Sequence, residues 1–535
     1  MTGMTQNHRA AVLDLVESAV DPGTWSSWDE PLGELPADPA YRADLERARE
    51  RTGLDESVIT GEGLIGGRRV ALVACEFGFL AGSIGVAAGE RLVRAVERAT
   101  CERLPLLATP ASGGTRMQEG TVAFLQMVKV AAAITDHKAA GLPYLVYLRH
   151  PTTGGVLASW GSLGHMTAAE PGALIGFLGP RVHEALYGEK FPEGVQTAEN
   201  LLANGLVDAV LPPEQLHGVA SRALSVLARG TNGTGSAAGA PAGAGTGAGA
   251  ATKQPAGAAP GFDGPAAARP SPVPAAVASA PPAGESIERS RRADRPSLRA
   301  LLKLAATEVT PLNGTGAGER DPGLMLALAR FGSTPCVVIG HDRGSSRGPR
   351  PAPVGPAGLR EARRGMRMAA ELGLPLVSVI DTAGAALSKE AEEGGLAAEI
   401  ARCLADLVTL PAPTLCLLLG QGAGGGALAL LPADRVLAAR HAWLSPLPPE
   451  GASAILYRTT ERAMEVAARQ GVRSADLLAN RIVDRIVEED GGPEAFLRRL
   501  GGALGEELSA LAAREDAERL ASRRTRYRDL GLRRP

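Results

Sequence analysis

Pro411 to Leu431 reads PAPTLCLLLGQGAGGGALALL: a leucine-rich run reaches Gly420, and Gly420, Gly422, Gly424, Gly425 and Gly426 crowd the turn before an alanine- and leucine-rich helical run. A counterpart lies at Leu142 to Trp160, LPYLVYLRHPTTGGVLASW, where Gly154 and Gly155 open a small-residue helix. Strand, glycine turn and helix in that order bring backbone N–H groups to a helix start. There the macrodipole favours negative charge, and the missing side chains let a ligand oxygen approach. Two such places in one chain point to two oxyanions. A further corner, Gly113-Gly114, follows the apolar run LPLLATPAS and precedes the helical pattern TVAFLQMVKVAAAI. A lone glycine pair serves tight turns more often than chemistry, but repetition at matching places in both halves favours chemistry.

The elements that must position these corners fall into two similar halves. LPLLA at Leu104 matches LPLVS at Leu374 (374 − 104 = 270), GGVLA at Gly154 matches GGALA at Gly425 (425 − 154 = 271), and LLANGLVD at Leu201 matches LLANRIVD at Leu477 (477 − 201 = 276). Three matches in the same order, with nearly constant offset, predict a duplicated α/β domain. Between the halves, residues 230–296 are Gly, Ala, Pro, Ser and Thr with almost no large apolar side chain, which predicts a flexible linker. The expected organisation is a helical extension over 1–56, a first domain over 57–229, the linker, and a second domain over 297–535. Gly66-Gly67 predicts a hairpin between two strands near the start of the first domain, and Leu92, Val93, Val96 and Ala99 share one face of a following helix.

With 56 basic and 58 acidic side chains in 535 residues, nothing advertises nucleic acid. The five cysteines are scattered without a CxxC pair, so they read as free thiols in a reducing cytosol. No charge lies between Asp406 and Asp434, yet Pro411, Pro413, the glycines and Gln421 argue against a membrane span there. The N-terminus lacks a signal peptide's apolar core. A soluble, cytoplasmic protein is expected.

The stretches SGGTRMQEG, HPTTGGVLASW, AEPGALIGFLGPR and FPEGVQTAENLLANGLVD, within residues 58–212, resemble the β subunit of the bacterial acetyl-CoA carboxylase carboxyltransferase. Within residues 311–488, VVIGHDRG, REARRGMRMAAELGLPLVSVIDTAGA, GQGAGGGAL and PPEGASAILYR resemble its α subunit, so the chain looks like a natural β–α fusion. The resemblance implies a ClpP/crotonase ββα superhelix in each half. It also implies transfer of a carboxyl group from N1-carboxybiotin, borne by a biotin carboxyl carrier protein and made by a biotin carboxylase, to the α-carbon of acetyl-CoA. Propionyl-CoA or another acyl-CoA, biotin-independent decarboxylation of a malonyl thioester, and a scaffold that has lost the chemistry are the competing readings. By similarity, Gly154 and Gly155 serve the thioester oxygen, with Gly113 and Gly114 shaping the wall. Gly426 and Ala427, beside Gly425, serve the biotin carbonyl, supported by the turn at Gly384. Each donor of such a hole is worth about 3 kcal/mol. Arg116 and Arg343, with Lys389 behind them, are candidates for the CoA phosphates.

In that family no side-chain base is required, which fits histidines such as His165, His341 and His441 having no partner at meaningful spacing. Two departures stand out. The β subunit's four-cysteine zinc ribbon has no counterpart in residues 1–56, so no structural zinc is expected, and the α-type turn DTPGAYPG becomes DTAGAALSK, losing both prolines and the tyrosine. A homodimer of the fused chain is expected from the same likeness, with no nucleic acid and no membrane as partner.

Overall fold

In the computed structural model, residues 12–31, 38–227, 280–343 and 352–532 are described. The first domain contains β1 (Ser26–Ser27), β2 (Val58–Ile65), β3 (Arg68–Cys75), β4 (Leu106–Thr109), β5 (Tyr144–Leu148), β6 (Thr152–Thr153), β7 (Met166–Ala169), β8 (Ile175–Gly176) and β9 (Ala209–Val210). The second contains β10 (Thr307–Leu312), β11 (Leu324–Phe331), β12 (Thr334–His341), β13 (Leu376–Thr382), β14 (Thr414–Gly422), β15 (Arg435–Ala439) and β16 (Arg485–Val487). Each domain has one seven-stranded sheet, ordered β1-β2-β3-β4-β5-β7-β9 and β10-β11-β12-β13-β14-β15-β16, while β6 and β8 form a small parallel pair of their own. In both large sheets the first two pairings are antiparallel. The remaining four are parallel. All nine residues of β14 are buried, as are all of β4, β5 and β13, which is why these strands read as continuous rather than alternating apolar runs.

The helices close the parallel strands from outside and join the domains. Val86–Cys101 buries Leu92, Val93, Val96 and Ala99, the face anticipated from spacing. Helix Gln126–Ala139 of the first domain packs on helix Leu396–Thr409 of the second, so one apolar cluster contains Val128 and Ala131 together with Ile400 and Leu404. The two domains therefore share a core.

Two expected boundaries change. Residues 228–279, most of the expected linker, lie outside the described residues, but the second domain begins well before residue 297. Helix Ala283–Arg291 buries Ile287 completely, and Trp443 Nε1 donates to Ser290 Oγ at 2.8 Å. Composition misplaced this edge because Ile287 is the one large apolar residue in the helix. The expected extension is likewise part of the first domain. Helix Val12–Ala19 packs its apolar face under β3, β1 pairs with β2, and helix Pro39–Thr52 lies against Phe79.

An ionic latch holds the C-terminal helix Asp516–Arg528 to the first domain. Arg528 Nη1 and Nη2 donate to Glu90 at 2.7 and 2.9 Å, and Lys129 Nζ donates to the same carboxylate at 2.5 Å. Burial opposes ionisation of Glu90, but the Arg528 hydrogen bonds and the Lys129 charge outweigh it and hold the carboxyl at about 2, against an ordinary 4.5. The proton is bound more tightly in the unfolded chain. The latch therefore stabilises fully above pH 4.5 and is lost as pH falls through about 2. Its worth at neutral pH is about 3 kcal/mol. Urea unfolding across that acid window should show the fall in wild type and a flatter profile in Glu90→Gln.

Candidate active site

Each glycine helix start is built by the same backbone path. Thr153 is extended (φ −137, ψ 171), and Gly154, at φ +64, turns the chain into helix Gly154–Leu157. In the second domain Ala423 is extended (φ −104, ψ 134), and Gly424, at φ +62, opens helix Gly424–Leu428. Only glycine takes this left-handed turn without strain. The counterpart of Gly154 is therefore Gly424, an offset of 270 (424 − 154), and not Gly425 as the string match implied. The same offset carries Ser112 onto Thr382. Gly114 N donates to Ser112 Oγ at 3.0 Å, and Gly384 N donates to Thr382 Oγ1 at 3.1 Å. It also carries Ile84 onto Val354, which bridge to Thr115 and Ala385 respectively.

This register decides which amides are free. Gly154 gives its N–H to Phe177 O at 3.0 Å, and Gly424 gives its N–H to Ser445 O at 2.9 Å, so neither first glycine serves a ligand. In the bridges, Arg116 N donates to Ile84 O at 3.0 Å and Ala386 N donates to Val354 O at 2.8 Å, leaving the residue before each to point its N–H elsewhere. Among the described residues no acceptor receives the N–H groups of Thr115, Gly155, Ala385 or Gly425. These are two equivalent pairs. Within them, Gly155 N lies 3.0 Å from where a Cβ on Gly114 would stand, and Ala385 N lies 3.2 Å from where one on Gly426 would stand. Sequence reasoning missed Thr115 and Ala385, although the offset of 270 between LPLLA and LPLVS already maps one onto the other.

All four residues line one cleft of about 2150 Å³ between the domains of a single chain. Gly113, Gly154, Gly384 and Arg343 line it too. Gly384, at φ +140, has nothing within 4 Å of a would-be Cβ and leaves the second domain's side open. Gly114 stands behind Gly154 and Gly155 as their backing. Gly426 and Ala427, the donors expected from the resemblance, follow Gly425 in the helix and are not among the residues that line the cleft, whereas Gly425 is. Close approach there is tight, because a Cβ on Gly425 would stand 2.7 Å from the Phe177 ring and 2.8 Å from Ile400 Cδ1.

The arginines divide. Arg116 is corrected as a phosphate contact. It is fully buried and binds Glu56 through two nitrogens at 2.8 and 2.5 Å, Ser83 O at 2.6 Å and Ser57 Oγ at 3.1 Å. Burial opposes ionisation of Glu56, but the Arg116 charge and hydrogen bonds outweigh it and keep the carboxyl below its ordinary range. Arg343 does reach the cleft, with Nη1 given to Asp381 Oδ2 at 3.1 Å and to Ser290 O at 3.0 Å. Burial pushes the Asp381 carboxyl up, against the Arg343 charge. Lys389 is exposed, with Glu393 at 3.9 Å. Of the histidines, His341 lines the cleft, and burial holds it down to about 4, so it is neutral at physiological pH. His165 accepts from Tyr144 N at 3.0 Å, and His441 sits against Ser286 at 3.5 Å, so both are occupied structurally. Among the described residues no group of three or more His, Cys, Asp or Glu could hold a metal ion, and no helix is long and apolar enough to cross a membrane.

Two pairs of amides with no acceptor among the described residues open into one cleft, as donors that hold negatively charged oxygens do. Residues 17–229 match the carboxyl transferase domain family, and residues 282–531 match the acetyl co-enzyme A carboxylase carboxyltransferase-like family. Over 531 residues the chain is 58% identical to the probable biotin-dependent acyl-coenzyme A carboxylase beta3 subunit of Mycobacterium tuberculosis (strain ATCC 25618 / H37Rv), covering 98% of this chain and 99% of that one. It is 36% identical over 527 residues to the acetyl-coenzyme A carboxylase carboxyl transferase subunits beta/alpha of Salinispora arenicola, covering 96% and 89%. Among solved structures, transcarboxylase 12S with methylmalonyl-coenzyme A and methylmalonic acid bound aligns over 95% of this chain and 91% of that one, at 18% identity and a TM-score of 0.37. The chain belongs to the carboxyltransferase family.

Proposed function

We propose that this chain transfers a carboxyl group from carboxybiotin, presented on a separate biotin carboxyl carrier protein, to the α-carbon of a short acyl-CoA, with acetyl-CoA giving malonyl-CoA. The observation that carries this reading is the pair of equivalent amide sets, Thr115 with Gly155 and Ala385 with Gly425, on one cleft. The first set holds the thioester oxygen. Donors aimed where charge develops lower the barrier to removing the α-proton, and they need no reorganisation during the step. The second set, beside the open turn at Gly384, suits a planar ureido oxygen. Among the described residues its own amides have no acceptor, and the space beside Gly384 is open while the Phe177 ring and Ile400 crowd Gly425. When bound there, carboxybiotin supplies the carboxyl group. The chain's part is to hold two oxygens in one cleft so that donor and acceptor carbons meet. Arg343, tied to Asp381, steadies the floor on the second domain's side.

A second reading, propionyl-CoA or another acyl-CoA as substrate, fits as well, because the name of the relative at 58% identity says acyl-coenzyme A and fixes no chain length. The matching strand order of the two sheets and the recurring offset support descent of both domains from one duplicated unit. The test supplies purified chain with carboxylated carrier protein and either acetyl-CoA or propionyl-CoA. Carboxylated product is expected only when carrier-bound carboxybiotin is present, and the ratio of kcat/KM values ranks the substrates. One methylene is worth about 1–3 kcal/mol, or roughly 10- to 200-fold. Release of acetyl-CoA from malonyl-CoA with no biotin in the assay would contradict the proposal.

A further inference from the structure

One residue touches both half-sites. Phe177, in the loop after β8, accepts the Gly154 N–H at 3.0 Å through its carbonyl and so fixes the turn that aims Gly155. Its ring lies where a side chain on Gly425 would stand. Its own N–H is not held by the first domain. It is given to the Glu392 carboxylate, at 2.8 Å to Oε1 and 3.0 Å to Oε2, from the short helix Lys389–Glu393 of the second domain. Gln196 Nε2 donates to Glu392 Oε1 at 2.6 Å and to Leu178 O at 2.8 Å, clamping the loop on its other side.

We propose that Glu392 is a positioning residue for the acyl-side oxyanion site, acting across the domain interface through Phe177. This role rests on the assignment of the thioester oxygen to Gly155 and turns on the donors that meet at the carboxylate. Three N–H donors, the Phe177 and Leu178 backbone amides and Gln196 Nε2, converge on this carboxylate, and a carboxylate accepts at both oxygens. An amide in its place keeps one oxygen, which can still accept from Phe177 and Gln196, but it sets an NH2 where the second oxygen took its share of these N–H groups, so the loop loses part of its anchor. The loop then relaxes, and the hydrogen bond from the Gly154 N–H to the Phe177 carbonyl, which aims Gly155, loosens with it. Because the site binds charge that develops only in the transition state, the loss falls on kcat and spares KM. Burial pushes the Glu392 carboxyl up, with the Phe177, Gln196 and Leu178 hydrogen bonds opposing it.

The neighbouring Glu393 supplies the control. It reaches the same domain, accepting from Asn200 Nδ2 at 3.1 Å, but does not touch Phe177. Full-length Glu392→Gln and Glu393→Gln are compared in steady-state kinetics and by infrared difference spectroscopy of acyl-CoA carrying carbon-13 at the thioester carbonyl. Wild type should bind the thioester with its carbonyl stretch lowered. Glu392→Gln should move the stretch back towards the free value and lower kcat about tenfold, with KM for acyl-CoA within about twofold. Glu393→Gln should match wild type in both. An unchanged stretch and kcat in Glu392→Gln, or equal losses in the two variants, would overturn the positioning role. A wild type whose bound thioester shows no lowered stretch would overturn the assignment to Gly155 itself, and the relay with it.

Discussion

Gly155→Pro is expected to lower kcat for carboxyl transfer by about 10²–10³-fold, the usual loss when one oxyanion donor is removed. The substitution deletes the N–H, and its Cβ would stand 3.1 Å from Met127 Cγ, so the flexible Met127 side chain must give by a few tenths of an ångström. Gly155 is the second residue of its helix, in the first turn, where no acceptor receives its N–H, so proline removes no internal hydrogen bond. Circular dichroism and the urea midpoint should stay close to wild type while turnover collapses. KM for acyl-CoA should rise as well, because the proline Cδ takes the place of the N–H hydrogen and stands where the thioester oxygen would sit. A variant that turns over at the wild-type rate would show that the Gly155 amide plays no part in the reaction.

Arg116→Ala has the second large expected effect, and it falls on stability. The change leaves Glu56, 2% exposed, without the partner that binds both its oxygens. Stranding one member of a buried pair costs about 3–5 kcal/mol. Tyr41 and Ser83 lose contacts as well, so the helix Pro39–Thr52 should loosen from the loop that carries Thr115. Urea unfolding measures the loss. Were Arg116 instead a phosphate contact, stability would hold and KM for the coenzyme thioester would rise.

These two residues mark what the sequence made legible and what it did not. The glycine corners were legible because a strand, a glycine turn and a small-residue helix need only local composition to be seen, and the doubled pattern raised them above ordinary turns. The sheets were legible for a related reason: β13 and β14 are apolar on both faces. The register of the second corner was not legible. Gly424, Gly425 and Gly426 are interchangeable as letters, and only the left-handed φ at Gly424 says which one begins the helix. Arg116 was misread because its partners stand 60 and 75 residues away, at Glu56 and Tyr41, and arginine is usually solvated. Glu392 was invisible for the same reason, since 215 residues separate it from Phe177 and only folding brings them together.

Meeting of the two amide pairs within one chain is the physical core of the account. Its most direct test is a crystal structure of the chain soaked with acyl-CoA and biotin together. The account predicts the thioester oxygen within hydrogen-bond reach of the Thr115 and Gly155 amides, and the ureido oxygen within reach of the Ala385 and Gly425 amides, about 2.7–3.2 Å in each case. A thioester or ureido oxygen bound elsewhere in the cleft, with those four amides turned to solvent, would contradict it.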